Sequence, residues 1–177
     1  MAETVSGSQY QRLHHMLGGS ARDRRGVRRQ LIAGANTHFG YTSALVIDES
    51  ASAKKGKMSA GVARQWNGRP GKTDNSRVGV FAAVVRDRVA ALVGGELYVP
   101  EEWFADATRC EDAGFPGGLG FRTKGEMALA MIHRLRREGL RFAYTVFDAG
   151  YGHLPWLLRA LDDGRETFLA EAHSGRA

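Results

Sequence analysis

The length, composition and charge of the chain exclude several classes of protein. Its 177 residues, 43% of them hydrophobic, suit one domain with a real core. The single cysteine excludes an intramolecular disulfide and a cysteine-based zinc cluster. No apolar stretch approaches the roughly 20 residues that span a bilayer, so we expect a cytoplasmic protein with no membrane partner. The net charge of +6 favours a polyanionic partner such as nucleic acid, although many basic proteins bind none.

The first forty residues are predicted to form a basic helical segment. Ser8 and Gln11 match a capping box, and the glycines at 18–19 end that helix. The stretch 22–29 then places five arginines in eight residues. Such a cluster is either a solvated helix face or an arm that contacts phosphates, because arginine forks match phosphate oxygens. The candidate phosphate contacts are Arg24, Arg25, Arg28 and Arg29.

From residue 41 the pattern changes to strands. The apolar run from Ala44 to Ile47 is typical of a strand covered on both faces, and we predict that this strand ends at Asp48. Further strands are predicted at about 60–66, 78–85 and 90–97. The turn formers in 67–71 favour antiparallel pairing of the first two of these strands. The segment 97–122 is predicted to be an irregular excursion.

Helix and strand signals then alternate. A second capping box, Thr123 with Glu126, begins a predicted helix that ends at Gly139. The later predicted elements are a strand at 142–147, a helix from Pro155 to Gly164 and a strand from Thr167 to Ala170. Because a helix between sheet strands permits a right-handed crossover, the strand before Asp148 can run parallel to the strand before Asp48. The sequence predicts an α/β fold with a mixed sheet and flanking helices.

Asp48 and Asp148 each follow a short apolar run, and a carboxylate at the tip of a buried strand is costly unless something compensates it. If the two strands are neighbours, both aspartates emerge at the same sheet edge, about 4.8 Å apart. Paired catalytic metal ions lie roughly 3.5 to 4 Å apart, and oxygen ligands favour Mg²⁺ or Mn²⁺ over zinc. The pair therefore suggests a metal-dependent phosphoryl-transfer site. The alternative is that both aspartates only cap turns at strand ends.

Five motifs stand in order along the chain. They are Asp48-Glu49-Ser50, Lys55-Gly56-Lys57-x-Ser59-x-Gly61-Val62-x-Arg64-Gln65-Trp66-x-Gly68-x-x-Gly71-Lys72-x-x-Asn75, Leu97-Tyr98-Val99-Pro100-x-x-Trp103, Phe121-Arg122-Thr123-Lys124 and Asp148-x-x-Tyr151-Gly152. Together they resemble a bacterial insertion-sequence transposase of the DDE superfamily, from about Tyr10 to His173. This resemblance implies a ribonuclease H-like fold, with one acidic residue on the first strand and the next at the end of the fourth.

By this resemblance, Asp48 and Asp148 match the first two members of a catalytic, metal-binding acidic triad. The implied cofactor is Mg²⁺ (or Mn²⁺), and the implied reaction is in-line attack on a phosphodiester. The implied partner is double-stranded DNA at transposon ends. We also expect a homodimer that is associated with the nucleoid.

Several basic residues of the motifs are candidate DNA contacts. Lys54, Lys55 and Lys57 follow the first aspartate, where they either meet the DNA backbone or form a mobile solvated loop. Arg64 is a further candidate, and so are Gln65 and Trp66, although a strand tryptophan is more often part of the core. Asn75 is interpreted as a residue that fixes a turn through side-chain hydrogen bonds to the backbone. Tyr151 and Gly152 are expected to shape the loop after Asp148.

The chain also departs from the family pattern. The third acidic residue of the family is a glutamate on a helix beyond the last predicted strand, and we expect it to be absent. Glu171 is near the right edge, but a position on or just after the final strand does not fit that role. Glu49 and Ser50 replace an expected Asp and Thr. We therefore expect a central fragment of a transposase, with a basic segment at 1–40 and a core at 41–173 that is incomplete at its C-terminal end.

Three functions remain open from the sequence. The chain is either a transposase core that binds Mg²⁺ weakly, or a catalytically inactive remnant or domesticated DNA-binding module that keeps the fold and the charge. A small non-transposase nuclease with two carboxylates fits the chemistry, but it leaves the long motif from Lys55 to Asn75 unexplained.

Overall fold

A mixed sheet forms the centre of the protein. The structure, a computed structural model, describes residues 24–68 and 71–171, so the helix predicted after Ser8 lies outside the described residues. The strands that it describes are β1 (Ala44–Ala53), β2 (Ala63–Asn67), β3 (Lys72–Arg86), β4 (Val89–Leu97), β5 (Tyr144–Phe147) and β6 (Phe168–Ala170). The α-helices are α1 (Arg24–His38), α2 (Ala107–Asp112), α3 (Lys124–Arg137), α4 (Ala149–Gly152) and α5 (Pro155–Asp163), with 3-10 turns at Gly40–Thr42 and Glu101–Ala105.

The described strands lie in the order β2-β3-β1-β5-β6, and β4 also pairs with β3. The predicted parallel pairing of β1 with β5 and antiparallel pairing of β2 with β3 are both confirmed. Ser76 of β3 pairs with Ala53 of β1 and with Ala63 of β2, so β2 lies on the edge of β3 that β4 also occupies. In chain order β5 is the fifth described strand, and it is the fourth when β2 is counted as an addition to that edge. This is the position that the resemblance implies for the strand before Asp148.

The hydrophobic core lies on one face of the sheet. Leu45 and Ile47 of β1 are fully buried there with alternate residues of β3, and helices α1, α3 and α5 pack over them. Val46 points to the opposite face and is only partly buried, and Leu169 of β6 is 60% exposed. The prediction that β1 is covered on both faces is therefore wrong for the part of the chain that the structure describes. An apolar run does not reveal this, because the side chains of a strand alternate between faces.

Strand β1 is longer than predicted. It continues past Asp48 to Ala53, because β3 offers paired residues along the whole length as far as Ser76. The prediction that the strand ends at Asp48 is therefore wrong. A carboxylate in mid-strand is tolerated here because the Asp48 side chain is exposed.

The helix that connects the sheet strands begins and ends as predicted. Thr123 caps α3, and its side chain and that of Glu126 form both hydrogen bonds of the capping box. Gly139, with a φ of +85°, ends the helix in the left-handed region that favours glycine. Pro155 occupies the first turn of α5, where its missing N–H costs nothing. These boundary signals therefore depend on local chemistry alone.

The segment 97–122 is more ordered than the predicted irregular excursion. It holds a 3-10 turn and α2, and it builds a small second core around the fully buried Trp103. The Trp103 indole N–H donates to the Val62 carbonyl at 2.8 Å, and the Arg109 guanidinium lies 3.6 Å from the centre of its ring. The excursion is thereby fixed against the loop that follows β1.

Glu96 of β4 connects the sheet to α3. Its carboxylate pairs with Arg134 of α3 and, at 2.9 Å, with Arg122. Burial raises the pKa of Glu96, but the hydrogen bonds and charges of Arg134 and Arg122 outweigh burial and hold this pKa below its ordinary value. The ion pairs therefore stabilise the ionised carboxylate in the folded protein.

We expect Glu96→Gln to lower the free energy of unfolding by about 1–3 kcal/mol at neutral pH, because both arginines lose a charged partner. A carboxyl whose pKa is lowered by folding contributes stability above its unfolded pKa and loses it as pH falls through the folded value. The difference should therefore vanish in acid. Urea unfolding at neutral and at acidic pH measures this difference in the free energy of unfolding. The exposed Glu111→Gln is the control. Equal stabilities at neutral pH would contradict the assignment.

The described fold is a six-stranded mixed sheet flanked by helices, which is a ribonuclease H-like α/β architecture. The predicted fold class is confirmed. Among the described residues, no helix is both long and apolar enough to cross a membrane.

Candidate active site

Asp48 and Asp148 lie next to each other at one edge of the sheet. The parallel register of β1 and β5 pairs Ile47 with Phe147, and Asp48 and Asp148 directly follow these two paired residues. Neighbouring strands are about 4.8 Å apart. Both aspartates line an open cleft of about 670 Å³, and both also line a shallower cavity of about 490 Å³. The predicted pairing at one sheet edge is therefore confirmed as geometry.

The two carboxylates have different local surroundings. Oδ1 of Asp48 accepts the backbone N–H of Glu49 at 2.7 Å, within a strand that is paired beyond this point. Asp148 is the N-cap residue of the short helix α4, but its side chain makes no capping hydrogen bond. A Cβ on Gly150 would lie 3.1 Å from Oδ1 of Asp148, so the lack of a side chain there leaves room beside this carboxylate. Both aspartates are exposed to the cleft.

A third carboxylate, that of Glu49, lies on the wall of the cleft and already has a partner. It forms an ion pair with Lys124, the residue that begins α3. The Lys124 ammonium also lies 5.3 Å from the centre of the Tyr98 ring. Glu49 and Lys124 belong to separate motifs of the sequence, and the fold brings their side chains into contact.

Tyr151 forms the buried floor of the cleft. Its side chain is 2% exposed, and its ring packs on Phe147 with 5.7 Å between the ring centres. Burial raises the pKa of the Tyr151 phenol strongly, and the negative charges of Glu49, Asp148 and Asp48 raise it further. The phenol is therefore neutral at physiological pH.

No three His, Cys, Asp or Glu side chains of the described residues come together as a group that would hold a metal ion. Glu171 follows β6 and shares the shallower cavity with both aspartates, yet it does not complete such a group. Its backbone N–H is held by the Phe147 carbonyl at 3.1 Å. The interpretation that Glu171 has the wrong setting for a third ligand agrees with this position.

The arginine candidates lie away from the cleft, on α1. The Arg24 side chain lies outside the described residues, and Arg25 and Arg29 are exposed. Arg28 forms an ion pair of 2.7 Å with Glu138. Arg25, Arg28 and Arg29 are not among the described residues that line the cleft. A role of these arginines in DNA binding remains a prediction.

The lysine candidates are presented by a loop whose backbone is hydrogen-bonded. The Asn75 side-chain amide donates to the carbonyls of Lys54 and Gly56 at 2.6 and 3.1 Å, and Arg109 donates to the Lys57 carbonyl at 3.3 Å. The interpretation that Asn75 fixes a turn is confirmed. Lys55 and Lys57 expose their side chains, whereas Lys54 is half-buried. Their contact with DNA remains a prediction.

The three candidate residues of strand β2 differ in what their side chains contact. The Gln65 amide donates to the Gly61 and Ser76 carbonyls, so it holds the strand. Arg64 is exposed, and its contact with DNA remains a prediction. Trp66 is 64% exposed and lines the cleft with the aspartates. Of the two alternatives for Trp66, a position in the core is wrong, because β2 lies at the sheet edge, where the sequence does not reveal which face is covered; its contact with DNA remains a prediction.

The chain matches a known protein family along its whole length. The family described as DDE superfamily endonuclease matches residues 1–177. The chain therefore belongs to the DDE superfamily of endonucleases, which generally use divalent metal ions and act on DNA. It is 32% identical over 155 residues to the probable transposase for insertion sequence element IS701 of Microchaete diplosiphon. That alignment covers 86% of this chain and 37% of the relative, so the chain spans little more than a third of that protein's length. No solved structure matches the chain significantly.

Proposed function

We propose that the chain is the catalytic core of a DNA transposase that cleaves and transfers phosphodiester bonds at transposon ends. One observation carries the proposal: the register of β1 and β5 brings Asp48 and Asp148 side by side into one open cleft. The similarity to the probable IS701 transposase supports the substrate class. The proposal includes a cytoplasmic location at the nucleoid and a homodimer that holds two DNA ends. It also includes a basic segment at 1–40 and a core at 41–173.

The residues of the cleft fit a divalent cation. Two exposed carboxylates offer oxygen ligands of the kind that Mg²⁺ and Mn²⁺ prefer, and Gly150 leaves space beside one of them. We propose that Asp48 and Asp148 hold Mg²⁺ (or Mn²⁺). Such an ion would supply Lewis-acid stabilisation of the charge on phosphodiester oxygens. The described residues offer no third carboxylate in metal-binding geometry, so we expect the two aspartates alone to support slow, Mn²⁺-dependent nicking.

In this proposal, the exposed basic side chains bind the DNA backbone. Lys55 and Lys57 stand exposed beyond β1, on a loop whose carbonyls are held by Asn75 and Arg109. Fixed cations attract the DNA backbone and release its counterions, which supplies affinity without sequence preference. Arg64 and the arginines of α1, which lie away from the cleft, are further proposed phosphate contacts. DNA bound by these side chains would bring its backbone to the aspartates.

A second candidate function is a DNA-binding module without catalysis. The observation that favours it is the absence, among the described residues, of a third metal-binding side chain beside the two aspartates. One experiment separates the two candidates. The purified chain is mixed with a plasmid that carries the DNA flanking its gene, with and without Mn²⁺. Nicking that requires Mn²⁺ supports the transposase core, and binding without nicking supports the module. If the chain neither binds nor nicks the DNA, both candidates are wrong.

Trp66 gives a separate test of the cleft as a DNA site. Exposed aromatic rings stack on the bases of single-stranded nucleic acid, and each such contact is worth about 1–3 kcal/mol. We expect Trp66→Ala to weaken binding of a single-stranded oligonucleotide with the same flanking sequence by about 10-fold, with little loss of stability because the side chain is 64% exposed. Fluorescence anisotropy measures the affinity. Tyr41→Ala removes a ring that is 68% exposed outside the cleft and is the matched control. Equal losses in both variants would contradict the contact.

A further inference from the structure

The Tyr151 hydroxyl is a buried donor without an acceptor. The side chain is 2% exposed, and among the described residues no hydrogen-bond partner reaches its oxygen. Buried hydroxyl groups are normally hydrogen-bonded, because the lost hydration is otherwise not compensated. An exception beside a functional cleft requires an explanation. The ring itself is well packed against Phe147, so poor packing does not provide one.

The surroundings of this hydroxyl indicate its missing acceptor. Three carboxylates act on the phenol electrostatically, and two of them have assigned partners. Glu49 is paired with Lys124, and Oδ1 of Asp48 accepts the Glu49 N–H. Asp148, three residues before Tyr151 on the same turn of chain, makes no capping hydrogen bond in α4. An unused donor and a carboxylate without its usual partner therefore lie together.

We propose that Tyr151 is a positioning residue, whose hydroxyl would donate a hydrogen bond to Asp148 when that carboxylate holds a divalent cation. The inference rests on the proposed metal site. The space beside Gly150 allows the carboxylate to turn, because a Cβ at that position would lie 3.1 Å from Oδ1. A neutral phenol can only help by donation, and a hydrogen bond to a metal-binding carboxylate fixes its orientation. The hydroxyl has no hydrogen-bond partner among the described residues and would gain one in the loaded site.

The test compares Tyr151→Phe with the unmodified 177-residue chain, using Mn²⁺ alone as the probe. We expect the variant to bind Mn²⁺ about 10- to 100-fold more weakly, as measured by electron paramagnetic resonance of the free ion. The thermal midpoint without Mn²⁺ should stay the same or rise, because the variant removes an unpartnered buried hydroxyl. Opposite effects on stability and on Mn²⁺ binding are not expected of a residue that only supports the fold.

Thr145→Val is the matched control. Thr145 is fully buried on β5, its hydroxyl also has no partner among the described residues, and it does not line the cleft. We expect the control to keep its Mn²⁺ affinity. Equal Mn²⁺ binding by Tyr151→Phe and the unmodified chain would overturn the inference alone. A lower thermal midpoint together with weaker binding would also overturn it, since the hydroxyl would then serve the fold. Absence of Mn²⁺ binding by the unmodified chain would contradict the metal site and, with it, the inference.

Discussion

Replacing Asp48 or Asp148 with Asn should abolish Mn²⁺-dependent nicking of the flanking DNA. Each variant keeps the shape of the side chain but removes one of two adjacent negative charges in the cleft. Changes to mere supporting partners of a metal ligand cost about 10- to 100-fold, so loss of a ligand itself should cost more than about 100-fold in Mn²⁺ affinity and in nicking rate. Both quantities are measured on the same preparations, by electron paramagnetic resonance and by plasmid relaxation.

The fold should survive both substitutions, because both aspartates are exposed and Asp148 makes no capping hydrogen bond. Circular dichroism checks this point. Asp163→Asn, at the exposed end of α5, removes the same charge outside the cleft and should behave as the unmodified chain. If both aspartate variants keep nicking at the unmodified rate, the catalytic assignment is wrong. If Asp163→Asn loses it equally, the effect belongs to the net charge.

Reversing the charges of Lys54, Lys55 and Lys57 to Glu should weaken DNA binding and flatten its dependence on salt. Each phosphate contact contributes about 0.9 to the slope of log K against log salt, so three lost contacts should lower the slope by about 2.7. The backbone of this loop is held by Asn75 and Arg109, and the substitutions leave those hydrogen bonds to carbonyls in place. The measurement is a salt titration of affinity.

A triple reversal elsewhere separates local contact from overall charge. Arg88, Arg137 and Arg159 are exposed on other elements, and their replacement by Glu changes the net charge by the same amount. We expect this control to keep most of the slope. An unchanged slope in the lysine variant would reject the loop as a DNA contact. Equal reductions in the two variants would assign the effect to the protein's total charge.

The aspartate pair was the part of the site most open to prediction from sequence. Two apolar runs, each followed by Asp, with a capped helix between them, permit a right-handed parallel crossover. Thr123, Gly139 and Pro155 place the helix boundaries through capping, left-handed backbone and a missing N–H, and none of these needs a distant partner. The structure therefore agrees with the sequence wherever the determining contacts are local.

The errors fall where a distant contact decides. The end of β1 depends on how far β3 offers a partner, and the exposure of Trp66 depends on the position of β2 at the sheet edge. The ion pair of Glu49 with Lys124 joins residues 75 positions apart, so no local sequence pattern predicts it. The burial of Tyr151 among three carboxylates likewise depends on packing that a loop motif does not encode.

The extension of β1 past Asp48 makes the two aspartates unequal in conformational freedom. Asp48 pairs with Phe81 in the middle of a ladder that continues to Ala53, so its backbone has little entropy left to lose. Asp148 is the N-cap residue of a helix of only four residues, and Gly150 follows two positions later. Any ligand that the pair holds would find one side preorganised and would pay for ordering mainly at the other. Lowering the entropy cost of ordering Asp148, rather than adding contacts at Asp48, is the more effective way to increase the affinity of the site for its ligand.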